Sequence, residues 1–219
     1  MPGRVFAALL TFFRDLPRWF WTTYFWQLLA VPVACMAAIY LLADADFLGW
    51  QNSRAHKAQF EIVHPAVLAA GLVIALIARA RIADTSLTFL AALCGFCLMR
   101  ELGGQGTSTF LYLGFLGLIA YWRLHRPKLS TFGNSRIALS SMATGLLSYA
   151  GSQFLDRGLI DRIGRLFVED PSWRVPYTSQ IEESLEALGG AFLLLTVIQV
   201  VVLARRAQST AVPSLVGPT

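Results

Sequence analysis

Residues 187–204 read ALGGAFLLLTVIQVVVLA, eighteen positions without a charge, closed by Arg205 and Arg206. A helix needs about 20 mostly apolar residues to cross a bilayer, with roughly 17 the lower limit. This stretch therefore reads as a membrane span. Working back from it, five more apolar blocks appear at residues 24–43, 62–78, 85–99, 109–122 and 137–155. The blocks at 85–99 and 109–122 are short and borrow polar residues at their ends. The expected fold is all-α, a polytopic helical bundle of six transmembrane helices.

Composition leads to the same class. Hydrophobic residues make up 56% of the 219 and charged ones 14%, against about a quarter charged in a soluble domain. That excludes a water-soluble enzyme, a disordered regulator and a secreted disulfide scaffold. The three cysteines, Cys35, Cys94 and Cys97, all fall in apolar stretches. The net charge is +5, but the basic residues lie between apolar blocks rather than along one face. They read as topology determinants and not as a nucleic-acid surface.

Orientation follows from Lys and Arg alone. With the N-terminus inside, eleven of the eighteen fall in inner segments and seven in outer ones. Both termini are therefore expected on the inner side. Residues 1–22 have Arg4, Arg14, Asp15 and Arg18 on one arc of a helix, with Phe6, Leu9, Phe13 and Phe20 opposite. That pattern predicts an interfacial amphipathic helix in the headgroup plane, followed by an anchor of Trp19, Trp21, Tyr24 and Trp26. The six-span domain is expected over 23–206 and a small polar tail over 207–219. Within the outer loop at 156–181, the run DRGLIDRIGRLF predicts a short amphipathic helix, with Asp161 and Arg165 spaced to pair.

The chemistry concentrates at the outer ends of three spans. The last span is preceded by Thr178-Ser179-Gln180-Ile181-Glu182-Glu183-Ser184-Leu185-Glu186. Ser179 and Glu182 have capping-box spacing, which accounts for a carboxylate there. Glu186 lies one turn deeper and is followed by Gly189 and Gly190. An acid beside two glycines predicts a close helix neighbour and a carboxylate turned inward. On the same side, the block at 85–99 continues into Arg100-Glu101, and the second span opens with Glu61-Ile62-Val63-His64-Pro65. Glu61 and His64, three apart, share a helical face. Glu61, His64, Arg100, Glu101, Glu182, Glu183 and Glu186 are thus expected at one depth, as an acidic outer-face pocket.

Five carboxylates against Arg100 leave a deficit of about four charges if all are ionised. Buried uncompensated charge is expensive, so such a cluster holds protons or recruits a cation. A divalent metal, protons or an amine would each fit, with the metal's identity open. One His among scattered acids lacks the ligand spacing of a zinc helix such as HExxH. No organic cofactor is indicated, because no P-loop, nucleophile elbow or glycine-rich dinucleotide turn is present. Cys94-Gly95-Phe96-Cys97 is a C-x-x-C of the kind used in thiol redox chemistry. Apolar cysteine filling a helix surface is the commoner reason for such a pair.

Three of these stretches, Arg100-Glu101-Leu102, Glu61 to Pro65 and Glu182 to Gly190, together resemble a pattern in small uncharacterised bacterial inner-membrane proteins. The resemblance implies that the acids form a coordinated set and that the chain is a multi-pass inner-membrane protein. It implies no activity. The function expected from the residues is transport of a cation or amphiphile, or service as an accessory subunit of a membrane complex. The partners implied are the lipid bilayer and either another membrane protein or a second copy of the chain. The rival class is a membrane-embedded enzyme, either a hydrolase or transferase using the Glu/His/Arg set or a C-x-x-C oxidoreductase.

Overall fold

A computed structural model describes residues 25–103, 107–168 and 170–210, together with 7, 10 and 11. Every regular element among the described residues is helical. In chain order these are α1 (Phe25–Asp44), a 3₁₀ turn (Phe47–Gly49), α2 (Ser53–Arg81), α3 (Thr85–Gly103) and α4 (Thr107–His125). A second 3₁₀ turn (Arg126–Leu129) leads to the short α5 (Ser130–Gly133), then α6 (Arg136–Asp156), α7 (Leu159–Val168) and α8 (Thr178–Thr210). Three helices, α2, α3 and α8, are long and apolar enough to cross a membrane, and Ala30–Asp44 forms a shorter apolar helix. The chain is thus an all-helical protein of membrane type. The interfacial helix expected over 1–22 lies outside the described residues, except that 7, 10 and 11 are helical. The Trp19 and Trp21 anchor lies outside them too, as do residues 211–219 of the tail. α8 itself runs to Thr210, so the first residues of the expected tail are helix.

The helix starts follow from side-chain caps. Asn52 Oδ1 accepts from the Arg54 N–H at 3.0 Å, Asp84 Oδ1 from the Ser86 N–H at 2.7 Å, and Ser135 Oγ from the Ala138 N–H at 3.2 Å. Each satisfies a donor that has no partner within its own helix. The Asn52 cap moves the start of α2 two turns earlier than the apolar pattern suggests, to Ser53 rather than near Phe60. α2 then runs unbroken through Pro65. Tyr177 holds a left-handed φ of 56° immediately before α8, and the Thr178 hydroxyl donates to the Val175 carbonyl at 2.6 Å. Ser179 is therefore already inside the first turn, where it cannot act as the expected cap.

The contacts divide the chain into two compact units, and α2 and α8 each contribute to both. One unit comprises residues 69–139 and 194–210 of the described chain, with 7, 10 and 11. Its framework is the α3–α4 hairpin. Phe89, Trp122 and Phe132 pack ring against ring at 5.8–6.2 Å near one end. A Cβ at Gly71 would lie 3.2 Å from Cys94 Sγ and 3.8 Å from Leu194 Cα. The bare backbone of α2 thus lets both α3 and α8 approach.

The other unit comprises residues 25–68, 140–168 and 170–193 of the described chain. Ile39, Ala43, Trp50, Leu155, Ile181 and Leu185 form its buried apolar core. α2 and α8 run in the same direction, since His56 meets Ser184 while His64 lies beside Gly190. α6 runs against α8, with Gly145 beside Gly189 and Ser152 beside Glu186.

α7 is amphipathic as expected, with Leu166 and Phe167 80% and 82% exposed. The expected Asp161–Arg165 pairing is replaced by ties to the strap that follows. Asp161 Oδ1 accepts from the Val175 N–H at 2.9 Å, and Arg165 Nε donates to the Trp173 carbonyl at 3.2 Å. Backbone donors and acceptors of an irregular segment need partners, and these two side chains supply them. Gly164 makes room for the strap, because a Cβ there would fall 1.9 Å from the Trp173 ring. Within the strap, the Ser172 hydroxyl and N–H both donate to Asp170 Oδ1 and hold that carboxyl below its usual range.

Candidate functional site: a buried histidine–glutamate pair

α8 places Glu186 on the side of the helix that faces α6, where the residue is only 4% exposed. Ser152 of α6 accounts for one carboxylate oxygen. Its hydroxyl lies 3.1 Å from Glu186 Oε1 and 2.9 Å from the Tyr149 carbonyl, and it donates toward both. The other oxygen, Oε2, lies 3.9 Å from Nδ1 of His64, which is 2% exposed. The opposite ring nitrogen, Nε2, hydrogen-bonds the Tyr149 hydroxyl. The chain of contacts therefore runs Tyr149, His64, Glu186, Ser152, drawn from three helices of one unit.

Two glycines make this convergence geometrically feasible. A Cβ at Gly189 would come within 2.7 Å of the Tyr149 ring and 3.1 Å of the Gly145 carbonyl oxygen. A Cβ at Gly190 would come within 3.2 Å of His64 Cδ2. With hydrogens in both places, the α6 tyrosine and the α2 histidine lie directly on the α8 backbone. The acid one turn earlier is then within their reach. Small residues at crossing points are how helices achieve such proximity.

A second polar level lies one to two turns toward the start of α8. His56, fully buried, places Nε2 3.2 Å from Ser184 Oγ and stacks on Phe60 at 4.5 Å, with the edge of Trp50 at 4.7 Å. Its Nδ1 has no hydrogen-bond partner among the described residues. Gln180 donates to the Trp50 carbonyl at 2.8 Å. His56 and His64 are eight apart on α2, and the α8 residues they meet, Ser184 and Gly190, are six apart. The two levels therefore stack along one interface.

Within this unit, the other expected acids, Glu61, Glu182 and Glu183, are less buried than Glu186. Glu61 is 58% exposed at its side chain and does not share the setting of His64, although the two are three apart. It pairs with Lys57 at 3.6 Å, and the same ammonium lies 3.6 Å from Glu183 Oε1. Lys57 is thus a second cation beside these acids, supplied by first turns of α2 that the apolar pattern leaves as loop. Glu183 is only partly buried, and so is Glu182. Arg100 and Glu101 belong to the other unit, where their side chains pair at 2.6 Å. Cys94 and Cys97 are 1% and 2% exposed and unbridged, with Cys94 Sγ seated against Gly71.

Tyr149, Ser152, His56 and Ser184 complete the site, and none of them stands out in the sequence as a functional residue. Ser152 and its α6 neighbours read as packing residues, and small polar residues at helical spacing give no sign of which one faces an acid. Chemically, the central group can hold a proton on the imidazole or on the carboxylate. It can also present the carboxylate to a cation while Ser152 holds its other oxygen. No protein-family model matches the chain, and no curated protein or solved structure matches it. The functional reading accordingly rests on this geometry.

Proposed function

We propose that this chain is a multi-pass membrane carrier that exchanges a cation against a proton at the His64–Glu186 pair. The observation that carries the reading is the pair itself, a carboxylate 4% exposed on an apolar helix with a buried imidazole nitrogen 3.9 Å away. Ionisable side chains inside a span are expensive, face the bundle interior and mark ion or proton pathways. With the imidazole protonated, the pair is an ion pair of zero net charge. A monovalent cation arriving at Glu186 expels the His64 proton, and net charge is unchanged. That exchange avoids leaving a bare charge in the low-dielectric interior.

The proposal includes six spans. α1, α2, α3, α4, α6 and α8 hold 20, 29, 19, 19, 21 and 33 residues. At 1.5 Å per residue the shortest of them extends about 28 Å, close to the thickness of a hydrocarbon core. The uneven distribution of Lys and Arg supports both termini on the inner side. The inner membrane of a bacterium is the setting to which the motif resemblance points.

The test uses the full chain in liposomes that hold a pH-sensitive dye and an imposed proton gradient. Sodium, potassium and ethidium are added in turn. One of them is expected to collapse the gradient with the wild type, and Glu186→Gln is expected to abolish that response while eluting as the same monodisperse species. Equal responses from the two proteins, or no cation-dependent proton movement by the wild type, would overturn the reading.

A further inference from the structure

In the unit built on the α3–α4 hairpin lies an open-sided groove of about 430 Å³. Ligand pockets span roughly 300–1,000 Å³. Thr88, Ala92 and Phe96 of α3 face Leu113, Gly117 and Tyr121 of α4 across it, and its walls are almost wholly apolar. Phe96 closes one end by lying across Gly114, where a Cβ would fall 2.7 Å from the ring. At Gly117 a Cβ would meet nothing within 4 Å, so the groove is open at its middle.

The other end is polar and basic. Arg79 Nε donates to Oγ1 of the groove-lining Thr88 at 2.9 Å and its Nη1 to the Ile82 carbonyl at 3.4 Å, while the residue as a whole is exposed. Tyr121 lines the same end, with the His125 ring stacked on it at 4.3 Å. Arg123 and His125 occupy the last turn of α4. An apolar channel that finishes at a fixed guanidinium is complementary to an amphiphile with a hydrocarbon tail and an anionic head. Basic pockets between spans bind acidic lipid headgroups for this reason, and an arginine is suited to a phosphate through its planar fork of donors.

We infer that the α3–α4 groove is a binding site for an anionic phospholipid, with one acyl chain along Ala92 and Gly117 and the phosphate at Arg79. The inference is independent of the carrier reading, since no residue of the His64–Glu186 group takes part.

Native mass spectrometry of the full chain, released from detergent containing equal amounts of phosphatidylglycerol and phosphatidylcholine, tests it. The wild type is expected to retain one phosphatidylglycerol in at least tenfold preference to phosphatidylcholine. Gly117→Leu fills the middle of the groove and is expected to lose that adduct. Arg79→Gln is expected to retain lipid but lose the preference. If Gly117→Leu does not fold, Ala92→Leu serves in its place and the same loss is expected. Retention of the adduct by the filled variant, or a wild type without preference for the anionic lipid, overturns the inference. So does a wild-type dimer that the filled variant dissociates, because a second copy of the chain would then be the occupant.

Discussion

Gly189 of α8 lies where any side chain would run into Tyr149 of α6, a Cβ there falling 2.7 Å from the ring edge. The tyrosine hydroxyl in turn holds His64. The spacing between two helices is thus tied to the position of the imidazole beside Glu186.

Gly189→Ala is expected to destabilise the protein by about 1–3 kcal/mol, the range for forcing a methyl group into a packed site. Gly117→Ala is the control. Its Cβ meets open space, and alanine is favoured over glycine inside a helix by about 1 kcal/mol. Thermal unfolding in detergent should show the two variants moving in opposite directions. A Gly189→Ala protein as stable as the wild type would mean that α6 and α8 are not closely packed there.

Tyr149→Phe removes a hydroxyl from His64 Nε2 while keeping the ring. The expected loss of stability is about 1 kcal/mol, the net contribution of a hydrogen bond. The His64 ring signals in the NMR spectrum should move relative to the wild type. Unchanged ring signals would show that the hydroxyl does not touch the ring.

The strap is predicted to depend on Gly164. With a Cβ placed 1.9 Å from the Trp173 ring, Gly164→Ala should displace the strap and expose the bond after Arg174 to trypsin. Cleavage is expected several-fold faster than in the wild type. Asp161→Ala, which removes the acceptor for the Val175 N–H, should act in the same direction more weakly. Unchanged cleavage in both would disprove the docking of the strap on α7.

Asp170 gives the strap a pH dependence of known sign. Its carboxyl is held below the ordinary range by the two Ser172 donors. Its contribution is therefore present above the unfolded value, about 3.9 for aspartate, and is lost as the pH falls through the depressed folded value. Trp173 fluorescence, read in a variant whose other tryptophans are replaced by Phe, should stay native-like at pH 4. Ser172→Ala lowers only the hydroxyl contribution and should shift the transition upward. No difference between the two would remove the Asp170–Ser172 bond as the cause.

The helical class is legible because it depends on long apolar runs, such as residues 187–204, that no local detail can disguise. Glu186 with Gly189 and Gly190 is legible as well, since a carboxylate one turn before two bare backbone positions marks a helix approached closely by its neighbour. The start of α2 is hidden because Ser53 to Gln59 is polar, and periodicity sees only the apolar part of a helix. With that start go the roles of Lys57 and His56. Tyr149 and Ser152 are hidden for another reason. Which face of α6 meets α8 is decided by contacts between residues far apart in sequence, and Gly145 opposite Gly189 becomes a pair only in three dimensions. Glu61 illustrates the reverse error. A spacing of three residues puts two side chains near one face, but His64 is buried while the edge of that face still meets solvent at Glu61.

Pro65 has no N–H to offer the carbonyl of Glu61, so α2 lacks one rung of its hydrogen-bond ladder immediately beside His64. A rod with a missing rung bends more easily there than elsewhere. Flexure at that level changes the gap between imidazole and carboxylate without disturbing the caps at either end of the helix. The softest part of the rod therefore sits beside the 3.9 Å gap between His64 and Glu186.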